Sequence, residues 1–173
     1  MHGNKIKGFT LVEILCVVVI LGIAAGIILP QLGTRNDLKA SAAARLLVSD
    51  LMYAQNLAIS KQRKHYIQFV DQQYTLLTRD SDADPLTAIS HPVNKNTYTV
   101  GIGSVTPGLE GVRIDAIDFG GATIIGFDDL GSPFSYDGTT ITPLNDPATI
   151  TIRSGDVSLI VSIEPYTGEA GVQ

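Results

Sequence analysis

One carboxylate stands inside an apolar run near the start of the 173-residue chain. In FTLVEILCVVVILGIAAGIIL, residues 9–29, Glu13 is the only charged side chain. An ionised group at the centre of a bilayer costs about 2.5–3.5 kcal/mol on insertion scales, and less near an end. A carboxylate kept in such surroundings either snorkels to the headgroups or meets a counter-charge, so ion pairing is the chemistry to expect of Glu13. Just before the run, Lys5, Lys7 and Gly8 form a short basic stretch that ends in glycine.

A second acidic group has the look of a cation site. In DSDADP, Asp80, Asp82 and Asp84 fall at alternate positions, as at the opening of an EF-hand loop. Pro85 occupies the sixth place, where that loop needs glycine, and His91 the twelfth, where it needs glutamate. The stretch therefore reads as a solvated acidic loop, and no metal is expected. His65, near a helix–strand junction, and His91, in a loop, read as surface residues. The chain has no nucleophile elbow, zinc-ligand spacing or phosphate-binding loop. GIGSVTPG, residues 101–108, is glycine-rich but opens no helix and reads as a bend. With no acid, base and nucleophile grouped together, neither an enzyme nor a cofactor is expected.

Charge narrows the partners. The net charge is −5 and the pI about 5.0. Six basic residues lie between Arg35 and Lys64 against Asp37 and Asp50, but beyond residue 70 four basic residues face fourteen acidic ones. That balance argues against nucleic-acid binding, which needs a basic patch. The single cysteine, Cys16, lies in the apolar run, so no internal disulfide can form and the remainder must be held by its own core.

The elements that position these residues follow from periodicity. A helix over residues 9–29 reaches about 31 Å, enough to span the roughly 30 Å hydrocarbon core. Lys5 and Lys7 predict a cytoplasmic N-terminus, with the bulk of the chain outside. An ordinary secretory signal cut near Ala24–Gly26 is the competing reading, but the apolar run continues to Leu29 and leaves Glu13 unexplained. After Pro30 and Gly33, helical period returns, with Ala43, Leu47, Leu51, Ala54 and Ala58 on one stripe. Asn36 or Asp37 could cap that helix, and Lys61, Arg63 and Lys64 suit its C-terminus. From Tyr66 the period is two. YIQFV and YTLLT flank DQQ, ATITI and VSLIVSI flank RSGD, and Asp137–Gly138 marks a further turn. Val157, Leu159, Val161 and Ile163 share a face. The fold class is α+β, a long N-terminal helix packed on a C-terminal antiparallel β-domain.

GFTLVEIL, preceded by a basic leader and followed by an apolar run, resembles the processing site of type IV prepilins and of the pseudopilins of type II secretion. The resemblance implies cleavage between Gly8 and Phe9 by a prepilin peptidase, N-methylation of Phe9, and a role for Glu13 in assembly with other subunits. It also implies a helix bend at Pro30. AARLLVSDLMYAQNLAISKQRKHYIQF, IIGFDDLGSP and YTGEAGV look most like the H-type minor pseudopilins and FimT-like minor pilins. The implied organisation is a cleaved leader (1–8), a membrane and assembly helix (9–29), the outer half of that helix (30–64) and a pilin-like β-domain (65–173). The expected function is that of a minor pseudopilin-like structural subunit of a type II secretion pseudopilus, anchored once in the inner membrane with a periplasmic domain. A minor type IV pilin for adhesion, motility or DNA uptake is the alternative within the assembly class, and a non-polymerising membrane-tethered binding protein the alternative outside it.

Overall fold

A computed structural model describes residues 9–28, 35–103 and 105–173. Gly8 and the leader, and the expected bend at Pro30, lie outside the described residues. The chain divides into two units, Met1–Arg35 and Asn36–Gln173.

The first unit contains helix α1, Leu11–Ile28. Its eighteen residues reach about 27 Å at 1.5 Å per residue. Among the described residues no helix is long and apolar enough to cross a membrane; the 21-residue apolar run of the sequence extends past them at Leu29.

The second unit is an α+β domain with its own core. Helix α2, Asn36–Lys61, is rich in alanine and leucine, strong helix formers, and interrupted by neither glycine nor proline. It ends where Gln62 turns left-handed (φ 50°) and Arg63 N–H donates to the Ala58 carbonyl at 3.1 Å, a Schellman-type closure. Along its inner face Ala40, Ala43, Ala44, Leu47, Leu51, Ala54 and Ala58 are wholly buried. The small alanines let the helix lie close to the strands, and each buried leucine contributes about 1.5–3 kcal/mol.

Two antiparallel sheets complete the domain. The larger runs β3-β2-β1-β6-β7-β8, with β4 also on β2. Its strands are β1 (His65–Val70), β2 (Gln73–Thr78), β3 (Thr87–Ala88), β4 (Thr99–Gly101), β6 (Ile124–Phe127), β7 (Pro133–Tyr136) and β8 (Ile141–Pro143). The smaller runs β11-β10-β9-β5, from β5 (Val112–Asp118), β9 (Ala148–Ser154), β10 (Val157–Ile163) and β11 (Ala170–Val172). The β1–β2 hairpin turns at Asp71 and Gln72, pairing Val70 with Gln73, and β9–β10 turns at Gly155 and Asp156, pairing Ser154 with Val157. At the β7–β8 turn Asp137 Oδ1 accepts from the N–H groups of Thr139 and Thr140, both at 2.7 Å.

Alternation puts Ile67, Leu76 and Ile125 into the core with α2, while Tyr66, Leu77 and Ile124 face the other way. That opposite face is buried too, under Phe134, Tyr136 and Leu86. Gly126 is required there, since a Cβ would lie 2.4 Å from the Phe134 ring.

Candidate functional site

Glu13 lies in the first turn of α1. Its backbone N–H donates to Thr10 Oγ1 at 3.2 Å, and the Ile14 N–H donates to the Thr10 carbonyl at 3.2 Å. Thr10 is thus the N-cap and Glu13 the third helical residue, where the partial positive charge of the helix start favours a carboxylate by about 0.3–1 kcal/mol. Phe9 stands one residue before the cap, 76% exposed. Thr10 escapes a reading based on apolar period; the pattern T-x-x-E ahead of an apolar run is the signal that marks it.

Around this first turn the helix offers only apolar surface. Each large apolar side chain of α1 from Leu11 to Ile23 is at least 46% exposed. Those residues occupy every direction around the axis, so no single stripe could be buried against the chain's own core. A helix apolar on all sides belongs in lipid or in a bundle of other helices. The geometry at Phe9, Thr10 and Glu13 places a carboxylate in the capped first turn of such a helix, and no acid–base pair.

The acidic loop is exposed, as expected, and its carboxylates are also ion-paired. Asp80 pairs with Arg63. Asp82 accepts from Lys64 Nζ at 2.8 Å and from Arg79 Nη2 at 2.9 Å, and Ser81 Oγ donates to Asp84 at 2.8 Å. The Lys64 ammonium, followed by Arg79, holds the Asp82 carboxyl below its usual range. Arg79 is itself buried, with its guanidinium 5.3 Å and 5.1 Å from the ring centres of Tyr66 and Tyr136. Among the described residues no group of three His, Cys, Asp or Glu side chains could hold a metal ion.

His65 corrects the surface assignment. It opens β1 and is buried, with Nδ1 2.9 Å from the Arg63 carbonyl, and burial pushes its pKa below the ordinary histidine value. His91 is half-buried, its ring centre 4.5 Å from that of Tyr98.

Asp50 was visible in the sequence only as a charge. It faces inward from α2, 4% exposed, and accepts from Tyr74 Oη at 2.6 Å and Tyr98 Oη at 2.9 Å. Burial raises the Asp50 pKa, and the two hydroxyls only partly offset that rise. Burial and the neighbouring carboxylate push both tyrosine hydroxyls upward in turn. This network fastens α2 to β2 and to the segment entering β4. Its position on the inner stripe, between Leu47 and Leu51, is the signal that could have found it.

Comparison with known proteins agrees with both units. Residues 3–29 match the family model of the prokaryotic N-terminal methylation motif. Two structures of the minor pseudopilin EpsH from the type II secretion system of Vibrio cholerae are similar to this chain. One has TM-score 0.52 and 16% identity, covering 78% of this chain and 94% of that one. The other has TM-score 0.54 and 15% identity, covering 80% and 95%. The type IV minor pilin FimU of Pseudomonas aeruginosa aligns with TM-score 0.47 and 16% identity, covering 79% and 88%. Comparison with curated proteins finds no match. The chain thus carries a prepilin-type N-terminal motif and a domain of the minor-pseudopilin fold.

Proposed function

We propose that this chain is a minor pseudopilin, a structural subunit of a type II secretion pseudopilus that is processed at its N-terminus and assembled through α1. A prepilin peptidase cuts between Gly8 and Phe9, and the new Phe9 amine is methylated. Before assembly α1 holds the subunit in the inner membrane, with Asn36–Gln173 on the periplasmic side. No catalytic step belongs to this role.

The observation that carries the reading is the exposed apolar surface of α1 from Leu11 to Ile23, with a lone carboxylate in its capped first turn. Inside a bundle of such helices Glu13 needs a positive partner, because an unpaired buried charge costs about 3–5 kcal/mol. The amine released at Phe9 of a neighbouring subunit provides one. Only registers that bring the two together avoid that cost, so Glu13 acts as a ruler between subunits.

Mass spectrometry of the protein from membranes of its own host tests the first step, the expected product starting at a methylated Phe9. Gly8→Ala blocks the cut. Glu13→Ala leaves the cut intact and reduces assembly. A chain that keeps its first eight residues, or a Glu13→Ala variant that assembles at the normal level, overturns the reading.

A further inference from the structure

Two exposed features of the outer domain complement each other. The first is an apolar knob near the end of α2. Gln55 Nε2 donates to the carbonyls of Gly131 at 2.9 Å and Thr167 at 2.7 Å, which draws the β6–β7 loop and the β10–β11 turn together. Only glycines fit at the junction: a Cβ on Gly131 would lie 2.9 Å from Ile59 Cδ1, and one on Gly168 would lie 2.7 Å from the Gly131 carbonyl oxygen. From it project Leu130 and Tyr166, 79% and 74% exposed, beside Ile59 at 43%. Tyr166 takes a left-handed backbone (φ 69°), uncommon for an aromatic residue, and presents its ring to solvent. Asp129, Glu164 and Glu169 rim the knob, exposed and forming no ion pair among the described residues.

The second feature is a shallow groove of about 480 Å³ on the outer face of α2, lined by Arg45, Val48, Ser49, Met52, Tyr53 and Asn56. Met52 is half exposed. Arg45 is the groove's only charged side chain, and it too makes no ion pair among the described residues.

We infer that the knob of one copy seats in the α2 groove of a second copy, with Leu130 and Tyr166 against Val48, Met52 and Tyr53 and the acidic rim against Arg45. Apolar surface meets apolar surface, and the unpaired carboxylates meet the unpaired cation. Ten residues separate Ser49 from Ile59, so knob and groove are about 15 Å apart along α2. The contact joins unlike patches, so repetition builds a ring or an open row rather than a closed pair. It concerns the outer domain alone and does not depend on how the N-terminus is processed.

The outer domain can be tested by itself, because Asn36–Gln173 contains the entire core and no cysteine. Domains carrying Ser49→Cys and Leu130→Cys are mixed at high concentration and oxidised. The mixed disulfide dimer is expected to exceed either self-dimer several-fold. Adding Arg45→Glu to the Ser49→Cys domain lowers the mixed yield, and adding Glu164→Lys and Glu169→Lys to its partner restores it. All substituted positions are exposed, and circular dichroism verifies that each variant is folded. A mixed yield no greater than twice either self-dimer, the ratio random encounter gives, or a charge swap that fails to restore it, overturns the proposal. An uncut N-terminus in the native host overturns the filament reading and leaves this contact standing.

Discussion

Replacing Asp50 separates the value of its hydrogen bonds from the cost of burying its charge. In Asp50→Ala the hydroxyls of Tyr74 and Tyr98 lose their acceptor. Each buried hydroxyl left unsatisfied costs about 1–3 kcal/mol, so the variant loses about 2–6 kcal/mol, less whatever is regained by no longer burying the acid. Against a typical domain stability of about 5–15 kcal/mol this is a large loss. Asp50→Asn keeps an oxygen for one hydroxyl and an amide for the other, and is expected to lose less.

The pH dependence gives the sharper test. Burial raises the Asp50 pKa above its ordinary value near 3.8. Between that ordinary value and the raised one, the unfolded chain is ionised while the native domain keeps its proton. The native state then binds more protons, so the Asp50 contribution falls as pH rises through that window and is level above it. Asp50→Asn has no such fall. Its deficit relative to wild type is therefore greatest near the bottom of the window and shrinks, or reverses, toward neutral pH. Urea unfolding of Asn36–Gln173 at several pH values measures this. A penalty for Asp50→Asn that grows with pH would mean the native carboxylate is stabilised as an ion. An Asp50→Ala loss under about 0.5 kcal/mol would mean the two hydroxyls are not sealed from water.

Other expectations follow from the core and its margins. His65 has its pKa lowered by burial, so the unfolded chain takes up the proton first; stability falls as pH drops through about 6.5, and thermal melts of His65→Gln flatten that slope. Leu51→Ala, at a fully buried position, costs about 2–5 kcal/mol in the same unfolding assay. Gly126→Ala drives a methyl into the Phe134 ring and costs about 1–3 kcal/mol, with Phe134→Leu in the same chain recovering part of the loss. Millimolar calcium leaves the melting temperature of the outer domain unchanged, because Asp80 and Asp82 already hold cationic side chains and Asp84 bonds Ser81; a clear rise would show that the loop can exchange them for a metal.

The residues that repeat at short range were the ones legible in the sequence. Ala43, Leu47, Leu51, Ala54 and Ala58 announce the inner face of α2 because helical period alone brings them into line. Both long hairpins follow from alternation around short polar turns. Alternation misleads where a sheet is covered on both sides: Tyr66 and Ile67 point in opposite directions and both are buried, and His65 beside them is buried as well. The Asp50 network was illegible because Tyr74 and Tyr98 stand 24 and 48 residues away in sequence. The ion pairs of the acidic loop were hidden for the same reason. Its partners Arg63 and Lys64 could be assigned to a helix end, but nothing local shows that the chain folds back to meet them.

The two units differ in what completes them, and that difference links processing to assembly on the proposed reading. The outer domain buries its apolar residues in its own core. In helix α1 the large apolar side chains from Leu11 to Ile23 are exposed, and on that reading lipid or other helices cover them. Lipid and bundle treat Glu13 differently. At the end of a membrane helix the carboxylate reaches the headgroups at modest cost. Inside a bundle that exit is closed, and an unpaired charge costs about 3–5 kcal/mol. Before cleavage the nitrogen of Phe9 belongs to a neutral amide and cannot serve as the counter-charge. After cleavage it is a cationic amine, four residues from Glu13 and one before the cap on Thr10. If the chain is processed as proposed, the carboxylate that holds the uncut subunit in the bilayer also draws the cut subunit into the filament, and charge sets the order of events, cutting first and assembly second.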